Sequence, residues 1–440
     1  MNVNTHIIVR HTSFGVALAL VALAIVMLAQ VHVAGRGFAE ARSPKKVDVM
    51  PPVDIGLIIE KRQAMLERKL HVSFVAEAGG MPISMFDLAL KDHPLWITFD
   101  VRDQRGAVII SAERVKQHLI SFPPQGIPSP QSCILLSSWT DDEGVLRAQT
   151  DCIAKSGYIY DQNVLTMLIK EALEKGEEKV EYVLSFVPAV VTDPTSGSDM
   201  PMKLLSTGHS AFEGSGLSRK ANVRKALNEH VNNVLVPAGE IFSFNDTLGT
   251  VSVSKGWYMA LTIFEGANLR PAPGGGICQA STTTYRAALA AGLPIIKYKN
   301  HSLYVTYYEK FGVGQDVTIF PGKQDFTFLN DTGAPLLIQA YNEGDEAYVQ
   351  IFGADDHRTV QVSGPYFGKT APKDLLTNGK ILKNNEIGWV RTVTAENSEP
   401  KREVFVSRYK AIPKSLSSRW ELTTVMTRGT VTPTIVAADH

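Results

Sequence analysis

Three consecutive glycines, Gly274, Gly275 and Gly276, stand directly before Ile277 and Cys278, and the residues that follow have the composition of a helix. This order constrains the fold more than any other stretch of the chain. Residues without a Cβ let the backbone turn sharply and approach other groups closely. Gln279 to Ala291, with Ala280, Tyr285, Ala287, Ala288, Leu289, Ala290 and Ala291, then reads as a helix that Gly292 stops and Pro294 cannot continue. Pro271 and Pro273 stiffen the approach. The chain must therefore run from an extended segment through a tight turn into a helix that starts at a thiol. Unpartnered amides and the positive end of the macrodipole favour an anion there, so the Cys278 thiol is expected to ionise more readily than a free cysteine. Such a cysteine is a candidate nucleophile at neutral pH. The Gly276 and Cys278 amides are candidates for holding a developing oxyanion, with Gly274, Gly275 and Gln279 in the same loop. The alternative is a plain turn into a helix whose cysteine is only packed.

A cysteine nucleophile needs a base, and His301, in Asn300-His301-Ser302, follows the strand-like Pro294 to Lys299. A strand leaving the helix and packing beside it would bring the imidazole back to the helix start. Asp316, in Gly314-Gln315-Asp316-Val317-Thr318, either orients that imidazole or caps a turn. Other chemistries have no foothold. No Cys-x-x-Cys, His-Glu-x-x-His or carboxylate cluster suggests a metal, and the glycine loop lacks the Lys-Ser/Thr of a phosphate loop, so no metal or cofactor is expected. His209 and His230 are isolated and read as core or surface histidines.

Acidic and basic residues number 44 each and are intermixed, which leaves no electrostatic footprint for a nucleic-acid partner. Near the N-terminus Arg10 precedes an unbroken apolar run from Phe14 to Ala29. Its length falls between a signal-peptide core and a full span, so residues 1–36 read as a signal peptide or a membrane anchor, the latter holding the bilayer through residues 14–34. The expected location is extracytoplasmic. In an oxidising exterior Cys133 and Cys152 are close enough in sequence to close a modest loop, which would leave Cys278 as the odd thiol. Three unpaired cysteines are the alternative.

At 440 residues the chain calls for more than one domain. Residues 37–46 read as a linker. Residues 47–192 mix strands, at Leu70 to Ala76, Leu95 to Val101 and Val180 to Phe186, with helices at Ser111 to Ile120 and Asp161 to Glu174. Asp161 is the N-cap of the second helix and Gly176 its stop. Residues 193–203, rich in Pro, Gly and small polar residues, form the clearest boundary. Residues 204–356 hold the cysteine module, with a helix at Ala221 to Val231 and a strand at Glu240 to Asn245. Residues 357–440 form a β-rich extension with turns at Gly364-Pro365, Asn378-Gly379 and Asn384-Asn385. The fold class is α+β.

Several of these stretches together resemble the VanW family. They are Pro237 to Asn245, Lys255-Gly256-Trp257, Gly274 to Thr283, Asn300-His301-Ser302 and Asp316-Val317-Thr318, and the match runs from about Leu204 to Gly353. Val404 to Ile412 resembles the strand that closes the family's domain. Ile83 to Leu95 and Gly157 to Asp161 are similar to a peptidoglycan-binding module found before VanW and YkuD-type transpeptidase domains. The resemblance implies cell-wall work associated with glycopeptide resistance, and some members are regarded as cysteine L,D-transpeptidases. On that analogy the partner is a peptidoglycan stem peptide or glycan, Cys278 is the nucleophile, His301 moves the proton, Asp316 orients it, and Ser281 and Ser302 belong with the substrate loop. YkuD-type enzymes carry Ser-x-Gly-Cys-x-Arg, whereas Ile277 and Gln279 flank the cysteine here. The arginine that would meet a substrate carboxylate is missing from that place, and Arg286 is the nearest substitute along the helix. A non-catalytic wall-binding scaffold and an L,D-carboxypeptidase are the alternative functions.

Overall fold

The computed structural model describes residues 55–100, 107–195, 200–264, 268–368, 371–376, 380–396, 398–414, 416 and 423–428. The apolar run at 14–34 lies outside them. Among the described residues no helix is long and apolar enough to cross a membrane. The fold is α+β, with several sheets around few helices.

Near the N-terminal side, Lys69–Val75 pairs antiparallel with Pro82–Ala89 and parallel with Lys179–Val183. Alternation places Leu70, Val72 and Phe74 on the inner face, where they meet Val115 and Leu119 from the helix Ala112–Ser121 and Leu165, Ile169 and Leu173 from the helix Gln162–Lys175. Asp161 caps the second helix by accepting from the Asn163 and Val164 amides at 2.7 and 3.1 Å, and Gly176 ends it at φ +76°. The strand expected over Leu95 to Val101 is shorter. Pro94, with its φ fixed by the ring, opens a 3-10 turn through Trp96, and the strand proper is Ile97–Asp100.

Seven strands close a barrel in the order Val190–Thr192, Met202–Ala211, Glu346–Gly353, Leu336–Glu343, Val234–Val236, Leu146–Thr150 and Cys133–Thr140. Strands from 47–192 and from 204–356 thus share one sheet, and Met202–Ala211 begins within the stretch read as a linker. Cys133 and Cys152 are disulfide-bonded with Cα atoms 5.5 Å apart.

The helix Cys278–Ala290 lies against the barrel strand Met202–Ala211. Gly208 marks the closest approach, since a Cβ there would stand 2.1 Å from the Thr283 carbonyl oxygen and 2.6 Å from the Ala287 amide. The helix is buried along nearly its whole length, including Gln279, Ser281, Thr282, Thr283, Thr284 and Arg286. The helix also meets an antiparallel sheet ordered Lys401–Arg408, Glu386–Thr394, Thr359–Phe367, Thr423–Arg428. That sheet grips the end of the helix, where the guanidinium of Arg391 donates to the Leu289 and Leu293 carbonyls at 3.2 and 2.9 Å. The β-rich extension therefore shares a core with the cysteine module.

Three local expectations shift. The helix read over Ala221 to Val231 starts at Leu217, and its second half, Ala226–Val231, is a π-helical turn. The strand read over Glu240 to Asn245 is confined to Ile241–Ser243, because the Ser243 hydroxyl accepts from the Asp246 amide and starts the short helix Phe244–Leu248. Gly364-Pro365 is a register shift inside the strand Thr359–Phe367, where the missing Pro N–H suits a bulge better than a continuous ladder.

Gly208→Ala is expected to lower stability by about 3 kcal/mol through overpacking against the helix backbone. Urea unfolding would check it, and an unchanged midpoint would contradict the close approach.

Candidate active site

The glycine turn is built as a close fit. Gly274 and Gly276 take φ values of +78° and +110°, which L side chains rarely adopt. A Cβ on Gly274 would stand 2.4 Å from Ile277 Cδ1, and one on Gly275 would stand 2.5 Å from the Ala260 carbonyl oxygen. The turn leaves the hairpin of Met259–Phe264 and Asn268–Pro273 and delivers Cys278 as the first residue of the helix. Cys278 is half-buried and is the free cysteine of the chain. Its sulfur lies 3.8 Å from Thr318 Oγ1 and 3.9 Å from the Ile319 carbonyl oxygen. Among the described residues the amides of Gly276 and Cys278 donate to no carbonyl, as the first amides of a helix must unless capped.

His301 comes back to this sulfur. The strand Ile295–Lys297 leaves the helix, and the Thr318 amide donates to the Lys299 carbonyl at 2.8 Å, which lays residues 299–301 beside 316–318. The imidazole, 6% exposed, stands near enough to the Cys278 thiol for each group to shift the other's protonation. Its Nδ1 lies 2.5 Å from Asp316 Oδ2, so Nε2 is the nitrogen left to face the sulfur. The His301 amide donates to the same carboxylate oxygen at 2.8 Å, and the Tyr409 hydroxyl donates to the other, Oδ1. Cys278 and Asp316 thus both act on the His301 ring, and Tyr409 holds the second oxygen of the carboxylate.

The electrostatics follow from these contacts. Burial works against ionisation of Cys278, but the neighbouring His301 imidazole, its charge, and contacts with Ile319 and Thr318 outweigh it and hold the thiol below its usual range. Burial likewise opposes charge on His301, yet Tyr308, Asp316 and Cys278 around the ring keep its proton affinity well above that of a free histidine. Opposite shifts on two groups that each perturb the other are what a thiolate–imidazolium pair produces. Tyr409 is kept protonated by burial and by the neighbouring Asp316, which suits it to donate.

Gln279 and Ser281, expected near substrate, have fully buried side chains with internal partners. Gln279 Nε2 donates to Ser210 Oγ and the Ala211 carbonyl at 2.8 and 3.0 Å. The Ser281 hydroxyl donates to the Val317 carbonyl at 2.9 Å, while Thr282 Oγ1 accepts from the Val317 amide at 3.1 Å. These hydroxyls bolt the segment carrying Asp316 onto the cysteine helix. Arg286 is also committed: its guanidinium donates to the carbonyls of Gln315, His209, Tyr308 and Gly312 at 2.8 to 3.0 Å. It is not free to meet a substrate carboxylate, and serves to hold the loop before Asp316. Ser302 is half-buried, and its carbonyl accepts from the Lys410 amide at 2.8 Å. His209 is stacked between Phe311 and Tyr348 and burial lowers its pKa to about 4, so it stays neutral.

Residues 218–352 match the family model described as VanW like protein. This stretch is similar to the VanW family. A curated relative, the uncharacterized protein YoaR of Bacillus subtilis (strain 168), is 35% identical over 144 residues, which is 33% of this chain and 46% of that protein. The chain therefore spans about half the length of the curated relative it matches. No solved structure matches. Cys278, His301 and Asp316 fall inside the VanW-like match, and Tyr409 falls 57 residues beyond its end at 352. The donor to the second oxygen of Asp316 is thus supplied from the β-rich extension, within the Val404 to Ile412 stretch read as a closing strand.

The rate of Cys278 alkylation by iodoacetamide is expected to persist well below the ordinary thiol midpoint of about 8.5. In His301→Ala the midpoint should move up, since the imidazole whose influence opposes burial is gone. A stopped-flow pH profile reads this directly. Coincident profiles for the two proteins would contradict the coupling.

Proposed function

We propose that this protein is a cysteine-dependent acyltransferase of the L,D-transpeptidase type, acting on peptidoglycan stem peptides in the cell wall. The observation that carries the reading is His301 held by Asp316 beside Cys278, with the thiol and imidazole shifted in opposite directions and with two amides at the glycine turn that have no carbonyl partner among the described residues.

In the first half-reaction the Cys278 thiolate attacks the carbonyl carbon of the third stem residue. The amides of Gly276 and Cys278 receive the oxyanion. The C–N bond to the terminal D-alanine breaks as His301 Nε2 gives its proton to the leaving amine, and a thioester remains. In the second half the amine of a neighbouring stem attacks the thioester and His301 takes its proton. The C–S bond then breaks, which returns thiolate and imidazolium. Asp316 keeps the proton-bearing Nδ1 fixed throughout, so the ring can present only Nε2 to the sulfur. Water in place of the amine would give an L,D-carboxypeptidase.

The surroundings support an extracytoplasmic location. The disulfide between Cys133 and Cys152 suits an oxidising compartment, and the apolar run at 14–34 would act as signal or anchor. Residues 47–192 would hold the wall polymer while the cysteine domain acts on it.

Incubation with tetrapeptide-containing muropeptides should release D-alanine and yield linked dimers, read by mass spectrometry. Cys278→Ala should abolish both, and Asp316→Asn should slow them roughly 100-fold or more. D-alanine release without dimers would identify the hydrolase. Unchanged muropeptides that still bind would leave a scaffold.

A further inference from the structure

With Arg286 committed to four carbonyls, the site needs another cation if its substrate ends in a carboxylate, and one stands at the glycine turn. Arg219 lies in the helix Leu217–Lys225 and is half-buried. Its Nε donates to Ser215 Oγ at 3.1 Å and its Nη2 to Gln279 Oε1 at 2.9 Å. Gln279 is itself held by Ser210 and Ala211, and the guanidinium rests over the Tyr307 ring at 4.9 Å. The plane of the group is therefore fixed from three sides. Nη1 has no hydrogen-bond partner among the described residues, and it lies 3.0 Å from where a Cβ on Gly276 would stand. A side chain at 276 would crowd this nitrogen and the Arg219 stem, whose Cγ lies 2.9 Å from the same point. The charge of Arg219 is also felt by Tyr308, which in turn feels Cys278 and His301.

We propose that Arg219 recognises the substrate's terminal carboxylate, and that the site selects peptides ending in a free acid one residue beyond the carbonyl presented to Cys278. This deepens, and rests on, the acyltransfer reading. Gly276, which Nη1 adjoins, is two residues from Cys278, and in a peptide the terminal carboxylate carbon is three bonds from the scissile carbonyl carbon. A preorganised guanidinium with one N–H pair uncommitted loses little entropy on pairing with a carboxylate. A half-buried cation with no carboxylate partner among the described residues also gains more from such a pair than an exposed one. Arg219 is a specificity residue in this account: it fixes the leaving residue, and the chemistry stays with Cys278 and His301.

Paired alkylation tests this without depending on turnover. Iodoacetate carries the carboxylate to the sulfur and iodoacetamide does not. In Arg219→Gln the ratio of iodoacetate to iodoacetamide rates is expected to fall roughly 10-fold or more, and Arg219→Lys should recover part of it. The same variants acting on a stem tetrapeptide and its C-terminal amide should lose preference for the acid. A ratio unchanged in Arg219→Gln, or both reagents slowed equally, would overturn the proposal; the second result would mark a purely structural role through Gln279. A wild-type iodoacetamide profile like that of a free cysteine would instead sink the nucleophile reading, and the ratio would still decide for or against Arg219.

Discussion

A carboxylate taken out of water must find donors, and Asp316, 2% exposed, gathers them from distant parts of the chain. Both the amide and the ring of His301 reach one oxygen, and the hydroxyl of Tyr409 reaches the other. That requirement draws together three segments distant in sequence, which the Thr318–Lys299 and Lys410–Ser302 backbone bonds also join. The barrel, the buried helix and the C-terminal sheet can be understood as the frame that makes this convergence affordable in free energy. Ser281 and Thr282 hold the Asp316 segment to the helix, Arg286 holds the loop before it, and the Ser407 hydroxyl donates to the Gly314 carbonyl from the sheet.

The thiol is the second consequence. A sulfur with this little water around it would remain protonated if burial acted alone. It is the imidazole, oriented through Asp316, that reverses the balance, and the helix start adds to it in the same direction. Removing Asp316 would therefore act on the sulfur indirectly, by freeing the ring to turn.

The thiol at a helix start was legible because glycine runs and alanine-rich helices write their conformations in local composition. His301 could be reached too, since a short strand after a helix has few ways to return. Asp316 was ambiguous, because Gly314-Gln315-Asp316 is equally a turn sequence and only the tertiary contact with the His301 ring distinguishes the two. Tyr409 lay beyond reach: more than ninety positions separate it from Asp316, and no periodicity reports which strand end a sheet will bring to a carboxylate. Gln279, Ser281 and Arg286 were drawn toward the substrate by their nearness to the cysteine in sequence. Full burial of the helix turned them inward, to the barrel strand and to the loops that carry the triad's other members. Arg219 gave no signal of its own, since it sits in a basic, weakly amphipathic helix whose partner is the glycine turn.

The central claim is that Cys278 and His301 rest as thiolate and imidazolium with Asp316 on Nδ1. Nitrogen-15 NMR of the labelled His301 ring measures it most directly. The account predicts two protonated ring nitrogens at neutral pH, with the Nδ1 proton in a strong hydrogen bond and with loss of the second proton tied to protonation of the sulfur. A neutral ring at that pH, with one bare nitrogen beside an intact thiol, would contradict it.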